Sequence, residues 1–496
     1  MSENSKLQTR RDFLKGAGAL AAGIALGSRL PSFAAEPRRK PNVIFIFADQ
    51  LRAQALGCYG DKQARTPNLD RLASEGVRFT NAISTWPVCS PFRGMLLTGR
   101  YPMSNGVVYN NFPLWDGQDT IATALKAQGY ETGYIGKWHL NGDDNRNVSP
   151  NRRQGFDYWV PIGGGILTKS PEGTEIWRPD VQTDHAVEYI KAHKDEPFCL
   201  FMSWNPPHDP YIAPEKYMKL FPPAKMQLRP NAAESELVRV ELTKHPINAD
   251  TEPGKKRIAW RKRIDSDDGI RENMSGYYAA TAGLDVCMGR IMKAIDEAGI
   301  AGDTILVFSS DHGDMLGAHR MSHKQEPFEE SIGIPFILRY PGRVARGTTT
   351  DALLSPMDIM PTLLGLAGAP RPDTVEGLNL ADAAAGKRSD QQDALLIMKM
   401  LPGGNPWIIN AATEWRGVRT KTHTYVRLAD GGSWILYDNK NDPYQMKNLV
   451  NDPAHKKLRD EMEATMQSLL KKAHDPFDTE AIRKTIKEGS KVRLPI

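Results

Sequence analysis

Asn42-Val43-Ile44-Phe45-Ile46-Phe47, running into Ala48-Asp49-Gln50, is an apolar stretch too short for a core helix and too continuous for a half-exposed strand. Such a run reads as a β-strand buried on both faces, the kind that belongs to a parallel sheet covered by helices. Similar runs follow at Val77–Ile83, Gly133–Ile135, Phe198–Trp204, Thr304–Ser309 and Ile334–Tyr340, the last closed by Pro341-Gly342. Helical patterns lie between them, at Pro67–Glu75, Asp184–His193 and Met274–Gly299. The alternation predicts an α/β fold with a large mixed, mostly parallel sheet flanked by helices.

Ligands of open α/β sheets gather at the carboxyl ends of the strands. Four of the runs end on polar chemistry: Asp49-Gln50, Lys137 with His139, His208, and Asp311-His312. Two carboxylates, a carboxamide oxygen and an imidazole suit one divalent cation. Oxygen donors favour Ca²⁺, while the imidazole and the neutral Gln50 leave Mn²⁺ open. Lys137 and His139, two apart, share one side of an extended segment. A lysine balances an oxyanion, and a histidine moves a proton near neutral pH. His208 sits in the proline-stiffened loop Asn205-Pro206-Pro207-His208-Asp209-Pro210-Tyr211, and Lys324 follows Asp311 by thirteen positions, within reach of the same rim. His319 and His323 read as supporting or substrate-contact residues.

The chain has 496 residues, 40% of them apolar, as in an ordinary folded enzyme of two or more domains. Its N-terminus carries Thr9-Arg10-Arg11-Asp12-Phe13-Leu14-Lys15, then an apolar Gly16–Leu26 and the small-residue site Ser32-Phe33-Ala34. Residues 1–34 therefore read as a twin-arginine signal peptide, too short in its apolar part for a membrane span, handing a folded protein to the twin-arginine export machinery for the periplasm or outside. The leader holds five bases against two acids, so about +2 of the formal +5 remains for the mature chain. So weak a field argues against a nucleic-acid partner. The cysteines Cys58, Cys89, Cys199 and Cys287 form neither a disulfide framework nor a metal-knuckle spacing.

Residues 35–370 read as the catalytic domain and 371–496 as a smaller α+β domain, with strands over Trp415–Arg427 and Ser433–Tyr437 joined at Gly431-Gly432 and a helix over 453–473. Residues 212–268 break the rhythm and read as an insertion or long loop. Its run Lys255-Lys256-Arg257-Ile258-Ala259-Trp260-Arg261-Lys262-Arg263 reads as a solvated face rather than a polyanion site.

Cys89-Ser90-Pro91-Phe92-Arg93-Gly94-Met95-Leu96-Leu97-Thr98-Gly99-Arg100 carries the most specific signal. Pro91 suits the first turn of a helix, which sets residue 89 at a helix N-terminus, where amides and macrodipole attract an anion. Arg93 follows one turn later with a fork suited to an oxyanion; Arg100 suits packing or an ion pair. This dodecamer resembles the signature of the type I, formylglycine-dependent sulfatases of the alkaline phosphatase superfamily. Gly136–His139, the loop at His208, Asp311-His312-Gly313-Asp314, Lys324 and the segment from Leu436 to Leu449 follow in that family's order.

The resemblance implies that a maturation enzyme oxidises Cys89 to formylglycine, whose hydrate is a nucleophile no coded side chain supplies. It places Asp49, Gln50, residue 89, Asp311 and His312 around the cation. It assigns Arg93, Lys137 and His139 to holding and activating residue 89, and His208 and Lys324 to the sulfate and the leaving group. Many relatives carry Asp at position 50 and Asn at 312; Gln50 and His312 resemble branches that include choline sulfatases and phosphonate monoester hydrolases. The expected protein is an exported sulfatase acting on a sulfated small molecule or glycan, with a carbohydrate or polysaccharide favoured. An arylsulfatase and a phosphonate or phosphate diester hydrolase are the alternatives. A non-catalytic glycan binder would lack a catalytic candidate, and none is missing.

Overall fold

A computed structural model of the chain describes residues 39–489 except 146, 162–165, 171, 234–236, 238–249, 388–391 and 404–413. The signal read at 1–34 lies outside the described residues. Ten strands come first: β1 Asn42–Asp49, β2 Val77–Ala82, β3 Glu131–Gly136, β4 Tyr158–Pro161, β5 Leu167–Lys169, β6 Glu175–Trp177, β7 Phe198–Pro207, β8 Thr304–Ser310, β9 Phe336–Arg339 and β10 Thr348–Leu354. Eight of them form one sheet in the order β10-β2-β9-β8-β1-β7-β3-β4, and β5 pairs with β6 in a separate ribbon. Within the large sheet only β9 runs antiparallel to its neighbours β2 and β8; the other described pairings are parallel.

The first run of the sequence shows why the sheet lies in the middle. Ile44, Ile46 and Ala48 of β1 point into one buried layer, and Val43, Phe45 and Phe47 into the other. Strand periodicity of two thus feeds two cores at once. Helices α1 Pro67–Glu75, α2 Cys89–Thr98, α3 Arg178–His193, α4 Glu252–Arg261, α5 Asp267–Glu297 and α6 Pro356–Ala367 precede the second sheet. Leu284, Cys287, Met288 and Ile291 of α5 cover the first layer, while Phe92 and Leu96 of α2 and Ile359 and Leu363 of α6 cover the second. Fully burying one such side chain is worth roughly 1.5–3 kcal/mol.

A second sheet follows, entirely antiparallel: β11 Ala394–Lys399, β12 Trp415–Thr420, β13 His423–Leu428 and β14 Gly432–Asp438. The stretch read as one strand over Trp415–Arg427 is two, because Lys421-Thr422 turns the chain between them. A short periodic stretch gives no sign of such a turn when neither Gly nor Pro marks it. One face of this sheet (Val418, Tyr425, Leu436) packs on Met462 and Met466 of α7 Lys456–Lys472. The other face (Leu395, Ile397, Val426, Ile435) packs on Met315, Met321 and Phe328, which lie after β8. The second sheet therefore braces the segment that carries Lys324.

Residues 212–268 are not a loop throughout. Glu215–Met218 and α4 are helical, and Tyr217, Phe221, Met226 and Ile264 are buried beneath α5. Isolated apolar anchors spaced by prolines leave no period to read, yet they bury area like any core residue.

Candidate active site

Asp49 closes β1, and Gln50 turns the chain away with a φ of 69°. The turn is tied to the neighbouring strand: Gln50 N–H donates to Asp311 Oδ1 at 3.0 Å and Leu51 N–H to Ser310 Oγ at 2.8 Å. Both carboxylates thus stand side by side at the carboxyl ends of β1 and β8. Cys89 is the first residue of α2, which follows the extended Val88 and ends at Gly99, whose φ of 64° needs glycine. All ten residues of α2 are buried, so the helix is fixed by packing. Its first amides have partners too: Ser90 N–H donates to Asn110 Oδ1 at 3.0 Å.

Cys89 Sγ lies 3.3 Å from His312 Nε2, 3.7 Å from Asp49 Oδ1 and 3.6 Å from Lys137 Nζ. Arg93, one turn along α2, donates to Asp49 Oδ2 at 3.2 Å and to Asp311 Oδ2 at 2.9 Å. Its other nitrogen reaches Ser203 Oγ at 2.8 Å and the Lys137 carbonyl, and the guanidinium lies over the Phe47 ring. Lys137 Nζ pairs with Asp49 Oδ2 at 2.5 Å. Lys137 can come this close because Gly136, at φ 107°, lets β3 press on β7; a Cβ there would sit 2.0 Å from the Ser203 carbonyl oxygen.

Burial by itself would raise the Asp49 carboxyl, but the charges of Lys137, His208, Lys324 and Arg93 hold it well below the usual carboxylate range. Asp311 goes the other way: burial and the Asp49 charge push it up, against the pull of His312 and Arg93. Two carboxylates at close quarters divide in this manner. Burial and Asp49 also push the Cys89 thiol up, yet Lys137, Lys324 and His312 bring it well below its ordinary value. Burial lowers His139, so its imidazole is neutral at neutral pH; its Nε2 lies 3.2 Å from Asn111 Oδ1.

On the far side of Gln50, Lys324 Nζ donates to Gln50 Oε1 at 2.6 Å and meets His208 Nε2 at 2.8 Å. His208 Nδ1 faces Asp209 Oδ1 at 3.0 Å, and the same carboxylate oxygen lies 3.1 Å from His323 Nε2. Asp314 accepts from Gln50 Nε2 and from the Tyr211 hydroxyl, each at 2.7 Å. The structure therefore brings together all ten residues singled out from the sequence: Asp49, Gln50, Cys89, Arg93, Lys137, His139, His208, Asp311, His312 and Lys324. His319 packs on Phe328 and contacts Asn231, and Arg100 pairs with Gln118. Sequence reading gave no role to Ser203, Asp209, Tyr211, Asn110 or Asn111; single polar residues in loops carry no signal until the fold sets them beside a reacting group.

One ligand atom from each of Asp49, Cys89, Asp311 and His312 lies within 4.8 Å of the others, all buried. Two buried carboxylates and an imidazole around one point form a donor set that fits a divalent metal, with Arg93 and Lys137 sharing the charge of the carboxylates beside it.

Comparison with known proteins gives a family. Residues 41–369 match the sulfatase family, residues 317–472 match the N-sulphoglucosamine sulphohydrolase C-terminal family, and residues 8–27 match the twin-arginine translocation pathway signal sequence. An ulvan-active sulfatase of Formosa agariphila is 36% identical over 457 residues, 88% of this chain and 82% of that one. A Bacteroides thetaiotaomicron structure, solved in work on the metabolism of multiple glycosaminoglycans, superposes with a TM-score of 0.72 at 28% identity, covering 92% of this chain and all of that one. The phosphonate monoester hydrolase of Agrobacterium radiobacter gives 0.72 at 25% identity, over 87% of this chain and 96% of that one.

The chain belongs to the sulfatase family. It is a sulfuric ester hydrolase, and its twin-arginine signal directs it across the membrane to the periplasm or beyond. Family membership implies a divalent cation and a formylglycine. No helix among the described residues is long and apolar enough to cross a membrane.

Proposed function

We propose that Cys89 is the residue matured to formylglycine and that the enzyme removes sulfate from a sulfated carbohydrate chain. The observation that carries this reading is the placement of Cys89 at the buried start of α2, within 4 Å of Asp49, Lys137 and His312. A maturation enzyme acting before export and a carbohydrate substrate belong to the same proposal. The substrate class is supported by a relative active on ulvan and a structural neighbour from glycosaminoglycan metabolism. Residues 35–370 would carry the chemistry, with 371–496 bracing the Lys324 segment.

Asp49, Gln50, Asp311 and His312 would hold the cation, for which Ca²⁺ is the choice that the oxygen-rich set favours and Mn²⁺ the alternative. The bound cation would supply fixed positive charge, and the hydrated formylglycine an oxygen nucleophile with a built-in exit as the aldehyde reforms. Lys137, 3.6 Å from Cys89 Sγ, orients residue 89 and stabilises its negative charge, and Arg93 fixes the Asp49 and Asp311 carboxylates beside it, through contacts that exist before substrate arrives. Preorganised charge of this kind is usually the largest catalytic contribution. Lys324 neutralises charge on the sulfuryl oxygens, and His208 beside it gives a proton to the departing alkoxide. His139, whose pKa desolvation lowers, takes the proton from residue 89 that lets sulfate leave.

The test is a parallel assay on 4-nitrophenyl sulfate, a phenyl phosphonate monoester and sulfated oligosaccharides. Sulfate-ester hydrolysis with the highest kcat/KM on an oligosaccharide is expected. Turnover of the phosphonate alone would overturn the reading in favour of the phosphonate alternative.

A further inference from the structure

A second cleft of about 820 Å³ opens at the far edge of the large sheet, where β2 and β10 meet the second sheet. None of the ten residues placed at the active site lines it. β2 is separated from β1 by β8 and β9, so the cleft residues Thr80 and Asn81 of β2 lie about 14 Å across the sheet from β1. We propose that it is a binding site for a non-reacting stretch of an anionic, hydroxyl-rich oligosaccharide, the remainder of the chain whose sulfate is cleaved; this rests on the carbohydrate reading above.

Three features of the lining select that ligand. The first is charge. Five bases face three acids, and the central ones are already matched: Arg419 forks onto Glu329, and Lys421 pairs with Asp351 at 2.8 Å. The exposed ammonium groups of Lys62 and Lys440 carry no ion pair among the described residues and stand at the margins for sulfate or carboxylate groups.

Amide and hydroxyl chemistry comes next. Asn81, Asn439, Gln63 and Thr80 line the walls; each is held by hydrogen bonds to neighbouring groups, which fixes its second amide proton or remaining lone pairs for a ligand hydroxyl. Gln54 uses its amide N–H₂ on the Glu329 carbonyl at 3.3 Å, while its buried Oε1 has no partner. A hydroxyl donor is the partner that this acceptor lacks.

The third feature is an apolar platform. Tyr444, half-buried, lines the cleft and has the Arg229 guanidinium 5.1 Å from its ring centroid. A rigid ring in a polar cleft suits the C–H face of a sugar. Two sites on one chain raise the effective concentration of the reacting end.

The double variant Lys62→Ala/Lys440→Ala and the single variant Tyr444→Ala test this, each with 4-nitrophenyl sulfate as the control for an intact catalytic centre. Retention of ulvan oligosaccharides is measured by affinity electrophoresis in the Cys89→Ala background, and KM on the polymer in the active enzyme. Both variants are expected to weaken retention and raise the polymer KM about tenfold, with kcat/KM on 4-nitrophenyl sulfate unchanged. If wild type handles the polymer and the variants equal it, the cleft assignment falls and the function stands. If wild type hydrolyses 4-nitrophenyl sulfate but neither retains nor cleaves any sulfated polysaccharide, the carbohydrate reading fails and the cleft assignment with it.

Discussion

Two stretches of this chain are dense in charge, and they meet opposite fates. At the carboxyl ends of β1 and β8, Asp49, Arg93 and Asp311 are fully buried and each has charged partners on other elements. Along α4 and just beyond it, Lys255, Lys262 and Arg263 are exposed, and Lys255 and Arg261 pair locally with Glu252 and Asp265. Coulomb energy between exposed ions is screened, whereas buried ions have no water to fall back on. Charge density in a sequence therefore says little until burial and partners are known.

The sharpest way to break the contrast is Cys89→Ala. Loss of the nucleophile should lower kcat about 10⁴-fold or more, with little change in a melting curve. Arg93→Ala should act on stability as well. In EDTA-treated protein it takes the guanidinium from the buried Asp311 and leaves Asp49 to Lys137, which should cost about 3–5 kcal/mol by urea titration, and divalent metal should restore part of the loss. His208→Ala should lower kcat on unactivated sugar sulfates by about 10²–10³-fold. It should do less to 4-nitrophenyl sulfate, whose leaving group needs no proton.

A buried acid outside the site gives a pH test. Burial raises Asp285 to about 6, although Leu69 N–H and the Asn68 amides hydrogen-bond to it. The folded state thus holds this proton more tightly than the unfolded chain. Its contribution is full below about pH 4 and is lost as pH climbs to about 6, by about 3 kcal/mol. Relative to Asp285→Asn, the parent should lose stability across that window, as read from urea midpoints at pH 4 and pH 7. The smallest effect belongs to the other region. Lys255→Ala with Arg261→Ala should shift stability by less than about 1 kcal/mol and leave kcat/KM on 4-nitrophenyl sulfate unchanged.

Much of the fold was legible because buried strands cannot disguise themselves. Val43 to Phe47 has no polar interruption, and Pro67–Glu75 carries its proline start in plain view, so both elements follow from local rules. The edge strands Thr348–Leu354 and Ala394–Lys399 escaped notice. The first opens with three threonines and an aspartate, and the second sits among loop-like residues; their pairing is decided by partners far along the chain. The site was legible where chemistry falls at strand ends, as at Asp49 and Asp311, and where the dodecamer fixes a spacing. Asp209 was not, since a carboxylate that bridges His208 and His323 is defined only by the fold. Asn111, against His139, is hidden for the same reason. The basic run at 255–263 shows the converse: a conspicuous local pattern whose described pairs, Lys255 with Glu252 and Arg261 with Asp265, are local contacts three and four residues apart.

The most direct measurement is the mass of the tryptic peptide Phe79–Arg93 from active enzyme purified out of its own host. Conversion of Cys89 to formylglycine predicts a peptide about 18 Da lighter than the encoded sequence, a departure from the usual oxygen-adding oxidations of cysteine. Fully active protein whose residue 89 has the unmodified cysteine mass would contradict the account.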